Sequence, residues 1–280
     1  MHYYYHKDAI HVSKIDLLVS NLKRSKQFYT ESLGFTVLKE TETYISLTVD
    51  FDEEIIRLHQ DEDTNKADQS SNIYHFNILL PTRRDLGKFL HHLILKQIPI
   101  DGAADHLVSE AIYLKDPDGI GIEISCDKDD DTWEKDNQQI KMDSLPFDYK
   151  GVYYAVNETD LFSTLPVDTT IGHLHLQVDD LDKTKAFYQN VIGFNIVNEA
   201  INDAVFMSDK NYHHHLAINS WKKEKDQSKK MKSFTITYPN CEKFKKTYET
   251  IMESNMRYQE TNDGIAIEDP ENTKIYLSIK

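Results

Sequence analysis

Cysteine is nearly absent from this chain: only Cys126 and Cys241 occur in 280 residues. Two thiols cannot build a disulfide framework. Positive charge is scarce as well, with 32 Lys and Arg against 47 Asp and Glu and a net charge of −15. Duplex nucleic acid draws most of its protein affinity from basic side chains that neutralise phosphates, so the charge balance argues against that partner. The same deficit disfavours anionic membrane surfaces. No run approaches the roughly 18 consecutive apolar residues of a membrane span. The opening Met1-His-Tyr-Tyr-Tyr-His6 lacks the charged and apolar regions of a signal peptide. What is present is the balance of a globular protein, 39% hydrophobic, 11% aromatic and 28% charged. The length leaves room for two domains with real cores. The expectation is a soluble, acidic, cytoplasmic protein without nucleic-acid or membrane partners.

The chain repeats itself. Val19-Ser-Asn-Leu-Lys-Arg-Ser-Lys-Gln-Phe-Tyr-Thr-Glu-Ser-Leu-Gly-Phe35 recurs without a gap as Val178-Asp-Asp-Leu-Asp-Lys-Thr-Lys-Ala-Phe-Tyr-Gln-Asn-Val-Ile-Gly-Phe194. A weaker pair, Phe76-Asn-Ile-Leu-Leu-Pro81 and Phe234-Thr-Ile-Thr-Tyr-Pro239, leads into helix-like segments. Those two units later reach Asp116-Pro117 and Asp269-Pro270. Each unit reads as a strand, an amphipathic helix and further short strands separated by turn residues. Phe28, Tyr29 and Leu33 form the buried stripe of the first helix. Gly34 and Gly193 stand where a helix end needs a positive φ. The reading is four βαβββ modules at 10–62, 72–127, 170–222 and 231–280. The first two make up 1–127, an acidic, irregular connection spans 128–169, and the last two make up 170–280. Lys222 to Lys232 reads as a solvated loop, not a nucleic-acid patch, because acids interrupt its bases.

Four such modules with Phe-Tyr-x(4)-Gly-Phe after a first helix resemble the vicinal oxygen chelate superfamily, which includes glyoxalase I, bleomycin-resistance proteins and type I extradiol dioxygenases. The resemblance implies an α+β fold in which the four βαβββ modules form two cup-like half-barrels. In such a cup a metal is held by residues from the first and last strands of each module. By repeat position the first strands offer Lys14, His75, His173 and Ser233. The last strands offer Glu123 in module two and Tyr276 in module four, His213, His214 and His215 in module three, and an apolar run ending at Leu58 and His59 in module one. A lysine ammonium has no lone pair to give. Ligand chemistry therefore survives in modules two and three, which would share one cup, while Ser233 and Tyr276 fill the other. His75, Glu123 and His173 become the metal ligands, a two-histidine, one-carboxylate set of the non-haem iron kind. Glu123 on an otherwise apolar strand is costly to bury unpaired, which also argues for a cation.

The resemblance carries further roles. Tyr113 stands ten residues before Glu123 in Tyr-Leu-Lys-Asp-Pro-Asp-Gly119, and His214-His-Leu-Ala217 fits the extradiol His-x-x-Ala. In that family such a histidine moves protons and such a tyrosine hydrogen-bonds a substrate oxygen. His106 matches an upstream histidine that steadies oxygen. These three are the catalytic candidates, with His213, His215 and His175 as additional ligands or pocket residues. His91 and His92 read as surface residues, and His2, His6 and His11 as an N-terminal arm. The run around Asp105-His-Leu-Val-Ser-Glu-Ala-Ile-Tyr113 resembles the bacillus-type catechol 2,3-dioxygenases most. The resemblance thus implies an Fe(II)-dependent extradiol ring-cleaving dioxygenase that takes a catechol- or hydroquinone-type ring and dioxygen. Two alternatives stand beside it. One is a glyoxalase-like lyase or isomerase using Mn, Zn or Ni, with His213 or His215 as a fourth ligand. The other is a metal-free quinone- or drug-binding protein. A cup of exposed strands also leaves room for a homo-oligomer.

Overall fold

A computed structural model describes residues 8–61, 73–157, 159–201, 203–221 and 230–280. His2 and His6, and the 222–229 part of the basic loop, lie outside the described residues. The chain divides into two units, one of Leu18–Glu62 and His75–Ile171, the other of Met1–Leu17, Asp63–Tyr74 and Gly172–Lys280.

The elements in chain order repeat one plan. Module one has β1 (His11–Val19), α1 (Leu22–Gln27), β2 (Thr36–Glu40), β3 (Tyr44–Thr48) and β4 (Ile56–Gln60). Module two has β5 (Ile73–Leu79), α2 (Arg83–Lys96), β6 (Gly102–Asp105), β7 (Ser109–Lys115) and β8 (Gly121–Asp127). The connecting segment is less irregular than its composition suggests, with β9 (Lys135–Asp136), β10 (Gln139–Ile140), β11 (Leu145–Pro146) and α3 (Tyr149–Tyr153). Module three has β12 (Thr170–Gln177), α4 (Leu181–Phe187), β13 (Asn195–Asn198), β14 (Ala204–Ser208) and β15 (Leu216–Asn219). Module four has β16 (Met231–Tyr238), α5 (Cys241–Glu253), β17 (Gln259–Thr261), β18 (Gly264–Glu268) and β19 (Lys274–Ile279). Among the described residues two large sheets form, one holding β1–β4 and β16–β19, the other β5–β8 and β11–β15. The fold is α+β, as expected.

Within a module the first strand runs parallel to the last, as in β5 with β8, β12 with β15 and β16 with β19. The intervening strands pair antiparallel. A parallel neighbour requires a crossover, which the module's helix supplies. First-strand and last-strand side chains are thereby set next to each other. On α2 the positions Leu86, Phe89, Leu90 and Leu93 are all buried. That spacing is one helical stripe, and each such side chain stabilises the fold by about 1.5–3 kcal/mol.

The Phe-Tyr signature has a structural purpose. Asn21 and Asp180 cap α1 and α4 by accepting from Arg24 N and Lys183 N. Each helix then widens into a π turn, at Phe28–Ser32 and Tyr188–Ile192. Gly34 and Gly193 follow with φ of 87° and 95°, the left-handed region that favours glycine. The buried Tyr29 hydroxyl donates to Asp116 Oδ2 at 3.3 Å, and that of Tyr188 to Asp269 Oδ2 at 2.8 Å. In both units the signature tyrosine thus ties to the Asp-Pro turn of the neighbouring module. Desolvation pushes the Asp116 carboxyl up from 3.8 to about 6. With the folded value above the unfolded one, this group stabilises the protein fully below pH 3.8 and loses that contribution as pH rises through about 6. Asp116→Asn is expected to flatten this dependence, which urea unfolding at a series of pH values will show.

Two placements differ from the sequence reading. His91 is buried, because α3 of the connecting segment packs against α2 and the Tyr153 carbonyl bonds its Nε2 at 2.8 Å. His92 is half-buried against the Ser32 carbonyl at 3.0 Å, so neither is a plain surface residue. His11 belongs to β1 and is buried, with Nδ1 2.9 Å from the Ala9 carbonyl, and is not part of an arm.

Candidate metal centre

His75 lies on β5 and Glu123 on its parallel neighbour β8, where register sets Glu123 beside Asn77. His75 Nε2 and Glu123 Oε2 are 3.1 Å apart, and both residues are buried. On the other side of β8, Glu123 pairs with Tyr113 of β7. Residues paired across a sheet share a face, so Asn77, Glu123 and Tyr113 form one row. Asn77 donates through Nδ2 to Ser125 Oγ at 2.8 Å, while its buried Oδ1 has no hydrogen-bond partner.

Tyr113 and His106 are joined. The turn after β6 passes through Leu107 at a φ of 69°, with Leu107 N donating to Asp105 Oδ1 and His106 N to the Ser109 carbonyl. This folds His106 back, so that its Nε2 is 2.6 Å from the Tyr113 hydroxyl. Its Nδ1 faces the Asp143 carbonyl at 2.9 Å. A carbonyl only accepts, so Nδ1 carries the hydrogen. In the neutral ring Nε2 is then the acceptor of the Tyr113 phenol proton.

In module three, β12 carries His173, His175 and Gln177 on one face by the period of two. The run His213–His215 is not on the last strand as expected. β15 starts at Leu216, and left-handed Lys210 and Asn211 bend the chain into a loop before it. Ser208 Oγ donates to the Tyr212 carbonyl and closes that loop. All three histidines are buried. His214 packs its ring on His173 at 4.0 Å between centroids, and its Nδ1 lies 2.8 Å from His213 Nδ1. One of those rings must donate and the other accept. His215 packs against Tyr212 and Phe194, and its Nδ1 accepts from Asp209 N. His175 Nε2 is 2.8 Å from Asn219 Nδ2.

Among the described residues, the group suited to a metal ion is His75, Glu123 and His173, whose ligand atoms lie within 4.8 Å of one another. The donor set fits a divalent metal, since imidazole and carboxylate both offer lone pairs and all three residues are buried. The unpartnered Asn77 oxygen beside Glu123 is a further polar atom that the protein leaves unsatisfied. Sequence reasoning missed Asn77, although His75-Phe-Asn77 occupies the repeat position of His173-Leu-His175. It also missed the Asp143 carbonyl, for which a backbone atom leaves no signal in the sequence.

Paired βαβββ modules in tandem, with their ligand positions on first and last strands, define the glyoxalase-type class of folds. The sequence profile of the Glyoxalase/Bleomycin resistance protein/Dioxygenase superfamily matches residues 11–124 and 170–275, and the chain belongs to that superfamily. It is 36% identical over 274 residues to the catechol-2,3-dioxygenase of Bacillus subtilis (strain 168), covering 95% of each chain. Among solved structures it is similar to one from Bacillus subtilis subsp. subtilis str. 168, with a TM-score of 0.66, 12% identity and coverage of 98% and 86% of the two chains. Glyoxalase I from Zea mays shares the fold as well, with a TM-score of 0.58, 16% identity and coverage of 96% and 92%. No helix among the described residues is long and apolar enough to cross a membrane.

Proposed function

We propose that this protein is an extradiol ring-cleaving dioxygenase that acts on a catechol- or hydroquinone-type ring with dioxygen, at an iron(II) held by His75, Glu123 and His173. The observation that carries this reading is the buried His75–Glu123–His173 group, in a chain 36% identical to a catechol-2,3-dioxygenase. Bound there, the metal would supply Lewis acidity toward the diol and open positions for substrate and oxygen. The same donor types suit Mn, Zn and Ni, so iron rests on the likeness to the dioxygenase. Acidic composition supports a cytoplasmic setting with small molecules as the partners.

The chain's own residues then divide the proton work. His214 sets its Nδ1 2.8 Å from His213 Nδ1, which directs the ring's other nitrogen, Nε2, away from that contact. If His214 Nδ1 is the donor in that pair, Nε2 carries no hydrogen and is the atom that takes a proton from the second hydroxyl, later returning it. Tyr113, beside Glu123 in the sheet, hydrogen-bonds a substrate oxygen, and His106 sets the direction of its O–H. Since the two act through one hydrogen bond, Tyr113→Phe and His106→Ala are each expected to lower kcat by about 10–100-fold. The double variant should be little worse than either, which a double-mutant cycle on kcat will read.

The deciding measurement is oxygen uptake. Protein loaded anaerobically with Fe(II) is mixed with catechol in aerated buffer, and dissolved oxygen is followed beside the visible absorbance of a ring-opened product. Uptake matched by a yellow product supports the reading. Silence with catechol and its alkyl derivatives would sink it and favour a lyase.

A further inference from the structure

One side of module three is lined with rings that the proton chemistry does not use. Phe206 of β14 lies level with Ala217 of β15, which lies level with His175 of β12, so the three share a face. Phe206 touches the His214 ring at 5.1 Å and the His175 ring at 6.0 Å between centroids. His175 in turn meets Trp221 at 5.7 Å and Tyr74 at 5.1 Å, and those two meet edge-on at 5.4 Å. Burial grades along this wall: His175 is buried, Phe206 and Trp221 are half-buried, and Tyr74 is 44% exposed. The rings therefore run from the proposed base out to solvent.

Hydrogen bonds orient the side chains in the middle of this wall. Trp221 N donates to Asn219 Oδ1 at 3.1 Å, which orients that amide with its nitrogen toward His175. Asn219 Nδ2 then faces His175 Nε2 at 2.8 Å and holds that ring in the wall. A wall of aromatic faces rewards burial of apolar surface, and Phe206, Trp221 and Tyr74 bring no cationic group to pair with a desolvated carboxylate.

Resting on the dioxygenase reading, we infer that Phe206, His175, Trp221 and Tyr74 form the subsite for the ring substituent, and that it selects diols with an uncharged apolar substituent over those with a carboxylate. A ring engaged by His214 at one hydroxyl has its substituent along Phe206 and Trp221. Asn219 is the positioning residue that holds the His175 ring in this wall.

The test is anaerobic binding to the Fe(II)-loaded protein, with 4-tert-butylcatechol and 3,4-dihydroxybenzoate as probes. The sequence has two tryptophans, so Trp133→Phe leaves Trp221 as the fluorescence reporter in an unaltered wall. Saturation with 4-tert-butylcatechol is expected to change Trp221 emission, and calorimetry should show it binding about tenfold tighter than the benzoate. In Trp221→Ala that preference should collapse toward onefold. An unresponsive Trp221, or a preference that Trp221→Ala leaves intact, overturns the subsite. The readings separate cleanly. Oxygen uptake without a Trp221 response removes the subsite alone, whereas a response and preference without uptake keep the subsite and remove ring cleavage.

Discussion

Glu123→Ala is expected to abolish metal loading and oxygen uptake together. The carboxylate supplies the anionic donor of the proposed site, and its oxygen is 3.1 Å from His75 Nε2 in a buried setting. Loss of a mere outer partner of a metal ligand already costs 10–100-fold in affinity, so loss of a ligand should cost more than about 100-fold. Two imidazoles alone would remain, without charge to balance a divalent ion. Removing Glu123 also strips the buried His75 of its partner, a cost of about 1–3 kcal/mol. Metal content by mass spectrometry after dialysis, oxygen uptake with catechol, and thermal unfolding of the metal-free protein separate the effects. Full metal retention in Glu123→Ala would contradict the ligand assignment. Folded protein with neither metal nor uptake is the outcome the site requires.

Why the candidate ligands stand out in the sequence is a matter of repetition. Val19–Phe35 laid on Val178–Phe194 aligns the first strands of modules one and three, and Phe76–Pro81 laid on Phe234–Pro239 aligns those of modules two and four. His173 and His75 fall on the candidate positions so defined. Glu123 follows from its distance to the Asp-Pro turn, whose carboxylate the structure shows bound to the signature tyrosine. Repeats transmit position because the same hydrogen bonds recur in each copy. Features that belong to one copy only were harder to see. The His213–His215 run has no periodicity that tells strand from loop, and two left-handed residues before it decide the matter. The His106–Tyr113 contact depends on a turn at Leu107 and on a carbonyl 37 residues away. His91 is covered by a segment whose polar composition reads as open linker, yet Val152 within it is buried and Arg83 binds both Glu110 and Asp148. Tertiary partners contributed from a distance override local pattern in each of these cases.

His214→Phe should do the opposite of Glu123→Ala and keep the metal while losing turnover. A phenyl ring is flat like the imidazole though larger, so ring packing against His173 and Phe206, now at 4.0 Å and 5.1 Å between centroids, is expected to survive with a small shift. What disappears is the nitrogen proposed to exchange a proton with substrate. General acid–base groups contribute about 10²–10⁴-fold, and kcat is expected to fall by that factor with metal content unchanged. The lost contact with His213 leaves that residue a buried Nδ1 without its 2.8 Å partner. A parallel His213→Phe variant therefore serves as the comparison. It removes the same hydrogen bond but spares the proposed base, so its kcat should stay well above that of His214→Phe. Equal losses in the two variants would mean that the pair works as one unit, with no separate role for His214. Retained turnover in His214→Phe would remove it from the chemistry and leave Tyr113, with His106 behind it, as the residue that handles the substrate proton.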